Sequence, residues 1–205
     1  RRDRVGPPRE GAVTTVTINV TALAAREKIE RLAKVIGPGP LLKVIGLRLL
    51  SYVDESFKTR GRGSWHPLAQ LTLAMRARGG DAPLQDRGRY KQSFVKEVGG
   101  RVTPGTDYAT DDRTFVEVGS NVKTPSGIPL GKIHEHGTGP FVIRVKQART
   151  LAARLRSGAW VNFGKQVNHP GIPARPVLPT AATAERLVVE TVEETLKMEA
   201  DRGSG

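Results

Sequence analysis

The densest chemistry in the chain is Ile133-His134-Glu135-His136-Gly137. Two imidazoles at i and i+2 share a face only on a strand, where they could hold a metal ion. On a helix they diverge, and the metalloprotease spacing is i, i+4 with a glutamate beside the first histidine. The other histidines, His66 and His169, sit next to prolines in separate loops and nominate no third ligand. The alternative is a turn whose histidines bond to the backbone or a neighbour. Asp111-Asp112 with Glu117 offers the paired carboxylates of a metal-dependent nuclease, and equally the composition of a solvated hairpin turn. Gly37-Pro38-Gly39-Pro40 followed by Lys43 departs from the phosphate-loop pattern. Its two prolines remove N–H groups that a phosphate cradle needs, so helix initiation explains it. There is no G-x-S-x-G elbow and no cysteine, so a thiol nucleophile, thiolate site or disulfide framework is excluded. The expectation is a protein without catalytic residues, cofactor or metal, and not an enzyme.

The 205 residues are 38% hydrophobic, enough for one domain with a real core. The formal net charge of +13 favours a polyanionic partner, nucleic acid or the acidic face of a protein. The charge is unevenly spread. Residues 185–205 hold six acids against three bases, net −3, which leaves thirty bases against fourteen acids, net +16, in the remainder. A basic body with an acidic tail suits head-to-tail contact between copies, and also fits a solvated helix face. Lys146, Arg149, Arg154 and Arg156, with Arg144 just before them, form the best basic patch. Trp65 beside Arg60 and Arg62 is a thin platform for single-stranded nucleic acid, or else a lid packed on its own helix or a neighbour. No apolar run approaches the roughly 20 residues that span a bilayer, and Arg1-Arg2-Asp3-Arg4 leads into Gly-Pro-Pro rather than a signal core. A soluble, untargeted chain is expected.

The elements that must position these groups follow from periodicity. Residues 1–12, rich in Arg, Pro and Gly, read as a flexible basic arm that orders on a partner. Val13–Val20 alternates as a strand, and Thr21 can cap a helix with Leu23, Ile29, Leu32 and Val35 or Ile36 inward, ending at Gly37. From Pro40 a second helix carries Leu42, Ile45, Leu49, Tyr52 and Val53 on one face, as far as Phe57 and the breakers of Thr59–Pro67. A short helical piece follows within Pro67–Arg78, and Asp86 can cap another through Phe94. Phe94–Val98 with Thr114–Val118, and Phe141–Val145 with Ala159–Val167, read as two strand pairs. His169–Pro176, with three prolines, is neither helix nor central strand. Thr180 or Thr183 caps a last helix with Ala184, Leu187, Val188, Val192, Thr195 and Leu196 inward. The predicted fold class is α+β: an antiparallel sheet against a long central helix and a C-terminal helix, with extended loops. One domain spans residues 13–198, and residues 199–205 read as a flexible tail.

Six short motifs stand in a specific order: Thr17-Ile18-Asn19-Val20; Leu41-Leu42-Lys43-Val44-Ile45-Gly46; Gly63-Ser64-Trp65-His66-Pro67-Leu68 after Phe57; Leu84–Phe94; Val116–Ser120 with Ile133–Gly137; and Ile172-Pro173-Ala174-Arg175-Pro176-Val177-Leu178. This series resembles the virion-morphogenesis or tail-completion family of Mu-like tailed phages, over nearly all of Val13 to Met198. The resemblance implies a structural protein of the virion neck, without catalysis, forming a ring at the head-proximal end of the tail and joining it to the head. The implied partners are further copies of the chain, a hexamer favoured over a dodecamer; a head connector, adaptor or stopper protein; a tail tube or tail terminator protein; and genomic DNA in transient contact. No membrane is implied. The location would be the neck of the virion and, during assembly, the host cytoplasm. The Pro-rich stretch Ile172 to Pro179 loses little entropy on docking and suits an interface strap, with Arg175 held at fixed reach. The subunit or partner interface expected is therefore Arg60, Arg62, Trp65, His134, His136, Ile172, Pro173, Arg175 and Pro176, with Arg144, Lys146, Arg149, Arg154 and Arg156 facing DNA or an acidic partner. The alternatives are a basic nucleic-acid-binding protein using the same patch with Arg60 and Arg62, and a metal-dependent hydrolase around His134, His136 and Asp112.

Overall fold

In the computed structural model, residues 14–15, 23–78, 80–95, 103–107, 113–120 and 122–203 are described. A two-residue strand, β1 (Thr14–Thr15), precedes α1 (Leu23–Ile36). Gly37 then turns the chain with φ at 84°, and the prolines of Pro38-Gly39-Pro40 open α2 (Pro38–Lys58) where helix N–H groups lack intrahelical partners anyway. Two short helices follow, α3 (Gln70–Met75) and α4 (Arg89–Val95). Next come β2 (Thr103–Asp107), β3 (Arg113–Glu117), β4 (Gly119–Ser120) and α5 (Leu130–His136). The strands β5 (Phe141–Arg144), β6 (Leu151–Arg154), β7 (Trp160–Gly164) and β8 (Gln166–His169) lead to the long α6 (Ala181–Gly203).

The fold is α+β, and α2 is the beam that two cores share. Its first half sends Leu41, Ile45 and Leu49 against Leu32 of α1 and against Ala184, Leu187, Val188 and Val192 of α6. Its second half sends Val53 and Phe57 into an aromatic cluster with Trp65, Tyr90 and Phe94, closed by Val177 and Leu178. Phe57 lies 5.9 Å from Trp65 and 6.0 Å from Tyr90, both edge to face, the geometry that the ring quadrupoles favour. Thr180 caps α6, its Oγ1 accepting the Thr183 N–H at 3.3 Å, which settles the choice between the two threonines. On α1 it is Ile36 that packs inward, while Val35 is 60% exposed.

The strands form antiparallel pairs, β1 with β4, β2 with β3, β5 with β8 and β6 with β7. Several expectations change. Phe94 belongs to α4, not to a strand, and the partner of β3 is Thr103–Asp107. Residues 96–98, the arm, Asp111-Asp112 and most of the Val13–Val20 strand lie outside the described residues. Asp86 does not cap α4; its carboxylate accepts the N–H groups of Ala77 and Arg78, at 3.4 and 3.1 Å, and pins the chain after α3. The basic segment after Val145 contains a strand, β6, and the expected Ala159–Val167 strand is two, broken at the positive-φ Gly164. The last helix runs through Gly203, five residues past the expected domain limit.

Candidate functional site

The turn leaving α2 has four consecutive left-handed residues: Arg60, Gly61, Arg62 and Gly63, with φ of 53°, 65°, 57° and 80°. Glycine takes this conformation freely, whereas an L side chain costs about 1–2 kcal/mol there. Local contacts hold the two arginines in it. Arg60 makes a bidentate pair with Asp81 at 2.9 and 2.8 Å. Arg62 folds back, its guanidinium 3.7 Å above the Tyr52 ring and donating to Ser56 Oγ at 2.9 Å. Gly61 is also required by space, since a Cβ there would stand 2.2 Å from Trp65 Nε1. Trp65 is therefore sealed beneath its own turn, and its Nε1 donates to Pro176 O at 3.0 Å.

Arg175 is the staple of the Pro-rich strap. Only 6% exposed, it donates from Nε to His66 O at 3.1 Å and from Nη2 to Pro67 O at 3.3 Å, while its backbone N–H reaches His134 O at 2.6 Å. Burial lowers its pKa. Glu135 completes the clamp by accepting the N–H groups of Val177 and Leu178 at 2.9 and 3.2 Å; burial nevertheless raises its pKa. His134 packs 4.9 Å from the Tyr90 ring, and burial, aided by the charge of Arg175, lowers it to about 4. Because α5 is a helix, His134 and His136 point to different faces, and only His136 is exposed. Among the described residues no group of three or more His, Asp or Glu side chains converges. His134 Nδ1, Tyr90 Oη and Arg76 Nε, the last 3.7 Å from an Asp86 oxygen, lack a hydrogen-bond partner among the described residues, and the three side chains line one cavity of about 430 Å³, room enough for ordered water.

Of the nine residues expected at an interface, Trp65 and Arg175 are buried and satisfied within the chain. His134 and Ile172 are half-buried, and Ile172 is bridged to Thr138 on both sides. Arg60, Arg62, His136, Pro173 and Pro176 remain at the surface, the two arginines with intramolecular partners. Four of the nine, Ile172, Pro173, Arg175 and Pro176, belong to the strap that locks the turn after α2 to α5.

The basic patch is a different kind of surface. Phe141 pairs with His169, Arg144 with Gln166, Leu151 with Gly164 and Arg154 with Trp160, so the strands β5 to β8 form one long hairpin. It is bent at residues 146–150 and carries a register shift between Leu151 and Ala152. A bridge between Thr138 and Ile172 closes its base. Near the tip, the Arg156 N–H donates to Ala74 O of α3 at 2.7 Å, so the hairpin arches over α3. Beneath the arch lies an apolar groove of about 810 Å³, with Leu68, Leu71 and Met75 on one wall and Ile143, Phe163 and Val167 on the other. Phe141, Val142, Ile143 and Trp160 are 40%, 49%, 39% and 69% exposed. Arg144, Lys146, Arg149, Arg154 and Arg156 are all exposed, as is Lys165, which motif reasoning missed. Among the described residues none of the six has an ion-pair partner. A signal for Lys165 existed: no Asp or Glu occurs from His136 to Ala184.

Compared with models of known protein families, with curated proteins and with solved structures, the chain matches none.

Proposed function

We propose that the chain is a structural subunit of a phage neck, assembling with copies of itself into a ring, most simply of six, that completes the tail and joins it to the head connector. The observation that carries this reading is the arched hairpin of residues 141–169. Among the described residues each of its strands has one partner, so both long edges present unpaired N–H and C=O groups. A two-stranded ribbon is marginal in water by itself, and an unpaired edge is a template for strand addition. Exposed Phe141, Val142 and Ile143, beside a groove open under the arch, add apolar surface that an adjacent subunit would cover. Edge and groove are different surfaces of one subunit, so contact between them is heterologous and closes into a ring where the rotation permits. The order of the six motifs, which resembles the tail-completion family, supplies the location.

The test is electron imaging of particles assembled with a tagged chain. A ring of tagged density at the head–tail junction is expected. Tagged chain absent from virions, or found only in host nucleoprotein complexes, would overturn the reading. The virion neck is where it acts, with no catalysis asked of it.

A further inference from the structure

The hairpin has two faces, and the groove and the subunit edges account for only one of them. Successive strand residues point to opposite sides. Ile143, Phe163 and Val167 line the groove, so their strand neighbours Arg144, Asn162 and Gln166, with Trp160, point the other way, and pairing with Trp160 puts Arg154 on that side too; Ala152 and Asn168 of the same side reach the groove only at its rim. Register places Arg144 directly opposite Gln166 and Arg154 directly opposite Trp160 on this outer side. The bends and the tip add Lys146, Arg149, Arg156 and Lys165, all exposed.

We propose that this outer face binds the phosphate backbone of duplex nucleic acid, with the β-ribbon lying along a groove of the duplex. Three observations point there. First, the six cations of the hairpin lie in a span, His136 to Ala184, that holds no acid, and among the described residues none of the six has an ion-pair partner. Second, the chain's own acidic helix is a poor occupant: on α6, Glu193 is paired with Lys28, Glu190 with Arg186, Glu194 with Arg48 and Glu199 with Arg202. Third, the face combines cations with the amides of Asn162 and Gln166 on a two-stranded ribbon. That ribbon is of a width that the roughly 12 Å major groove of B-DNA admits, whereas a lipid surface would call for a continuous apolar face, and on this one Val142 and Trp160 stand apart among cations and amides. The proposal concerns one subunit, so it stands or falls separately from ring assembly.

The test is fluorescence anisotropy of a labelled duplex DNA of about 20 base pairs with the full chain, over a range of salt. If only the two outward arginines touch phosphate, the logarithm of the affinity falls against log salt with a slope of about −2, and if all six cations do, about −5. Arg144→Ala with Arg154→Ala should flatten that slope by about 2, because each removes about one phosphate contact. Lys34→Ala with Lys43→Ala, an equal loss of charge from exposed positions on α1 and α2, should leave it unchanged. The native emission of Trp160, beside Arg154, should respond to the duplex, and Trp160→Phe should remove that response. Circular dichroism confirms that each variant is folded. The proposal is overturned if the two pairs of substitutions flatten the slope equally, which makes the binding a matter of net charge. It is also overturned if the hairpin pair leaves duplex binding intact, or if vesicles of anionic lipid or polyglutamate bind the hairpin while duplex does not compete. A chain that binds duplex through the hairpin and never forms rings would sink the ring alone; a ring that is indifferent to duplex would sink this proposal alone.

Discussion

Arg62 and Arg175 carry the same charge as Arg144 and Arg154, yet the two pairs do opposite things. The first pair is folded into the subunit: Arg62 lies on Tyr52 and Ser56, and Arg175 ties the strap to the backbone carbonyls of His66 and Pro67. The second pair stands on the outer face of a hairpin, exposed and unpaired among the described residues. Arginine content therefore does not locate a binding surface; what matters is whether the guanidinium has already found its acceptors. A cation already hydrogen-bonded within the chain is structural, and its loss leaves its acceptors without their donor. An exposed cation with no partner contributes little to the fold and is available to an outside polyanion. The comparison predicts large stability effects in the first region and almost none in the second.

The largest effect should come from Trp65→Ala. The ring fills the space under the left-handed turn and meets Phe57 edge to face, so truncation should cost about 3–5 kcal/mol, as for other large aromatic deletions in cores. Urea denaturation would measure this. A loss below about 1 kcal/mol would mean that Trp65 is a surface contact after all. Arg175→Met comes next. It keeps the volume but leaves the carbonyls of His66 and Pro67 without their donor, and should cost about 2–3 kcal/mol by the same measurement.

An acid-dependent effect of similar or smaller size belongs to the same region. His134 is held to about 4 by burial and by Arg175, against 6.5 in the unfolded chain. The unfolded state thus takes up a proton that the folded state refuses. The stability from neutral His134 is whole above pH 6.5 and is lost as the pH falls through about 4, by at most about 3 kcal/mol. Glu135 works in the other direction. Its raised pKa makes its contribution fullest below the ordinary carboxylate value, and that contribution is lost as the pH rises through the raised one. The histidine is therefore read as a difference: between pH 7 and 4, His134→Gln should lose less melting temperature than the native chain. Equal losses would show that His134 protonates freely in the fold.

What the sequence made legible follows the same division. Period-3.6 stripes placed α1, α2 and the start of α6 within two residues, because Leu32, Ile45, Leu49 and Val192 mark buried faces wherever the chain goes; the charged end of α6, past Met198, carries no such stripe. The turn after α2 was visible as Gly-rich and cationic, but its four left-handed residues were not, so its arginines looked outward when they fold back. Phe94 fits both the end of the expected helix and the start of an expected strand, because a short apolar run has no period to decide between them; the structure puts it in the helix. The strand Leu151-Ala152-Ala153-Arg154 carries no signal of its own: it has neither alternation nor β-branched residues, and its strand character comes from pairing with Trp160–Gly164. The basic patch itself was legible, since absence of acids is a property of composition; which side of a ribbon its members occupy is a property of register and was not.

The smallest expected effect decides the comparison most cleanly. Replacing Arg154 and Arg156 together by Ala should shift stability by no more than about 0.5 kcal/mol, since both side chains are exposed and among the described residues neither has an ion-pair partner. The Arg156 contact with α3 runs through its backbone N–H, which alanine retains, so the arch over the groove should survive the change. Because removing like charges from one face also relieves their mutual repulsion, the sign of the small shift should be toward greater stability at low salt and should vanish as salt screens the hairpin. Urea denaturation at two ionic strengths reads both quantities. A loss above about 1.5 kcal/mol would mean that these arginines hold the hairpin to the body as Arg175 holds the strap, and the two regions would then differ in exposure alone.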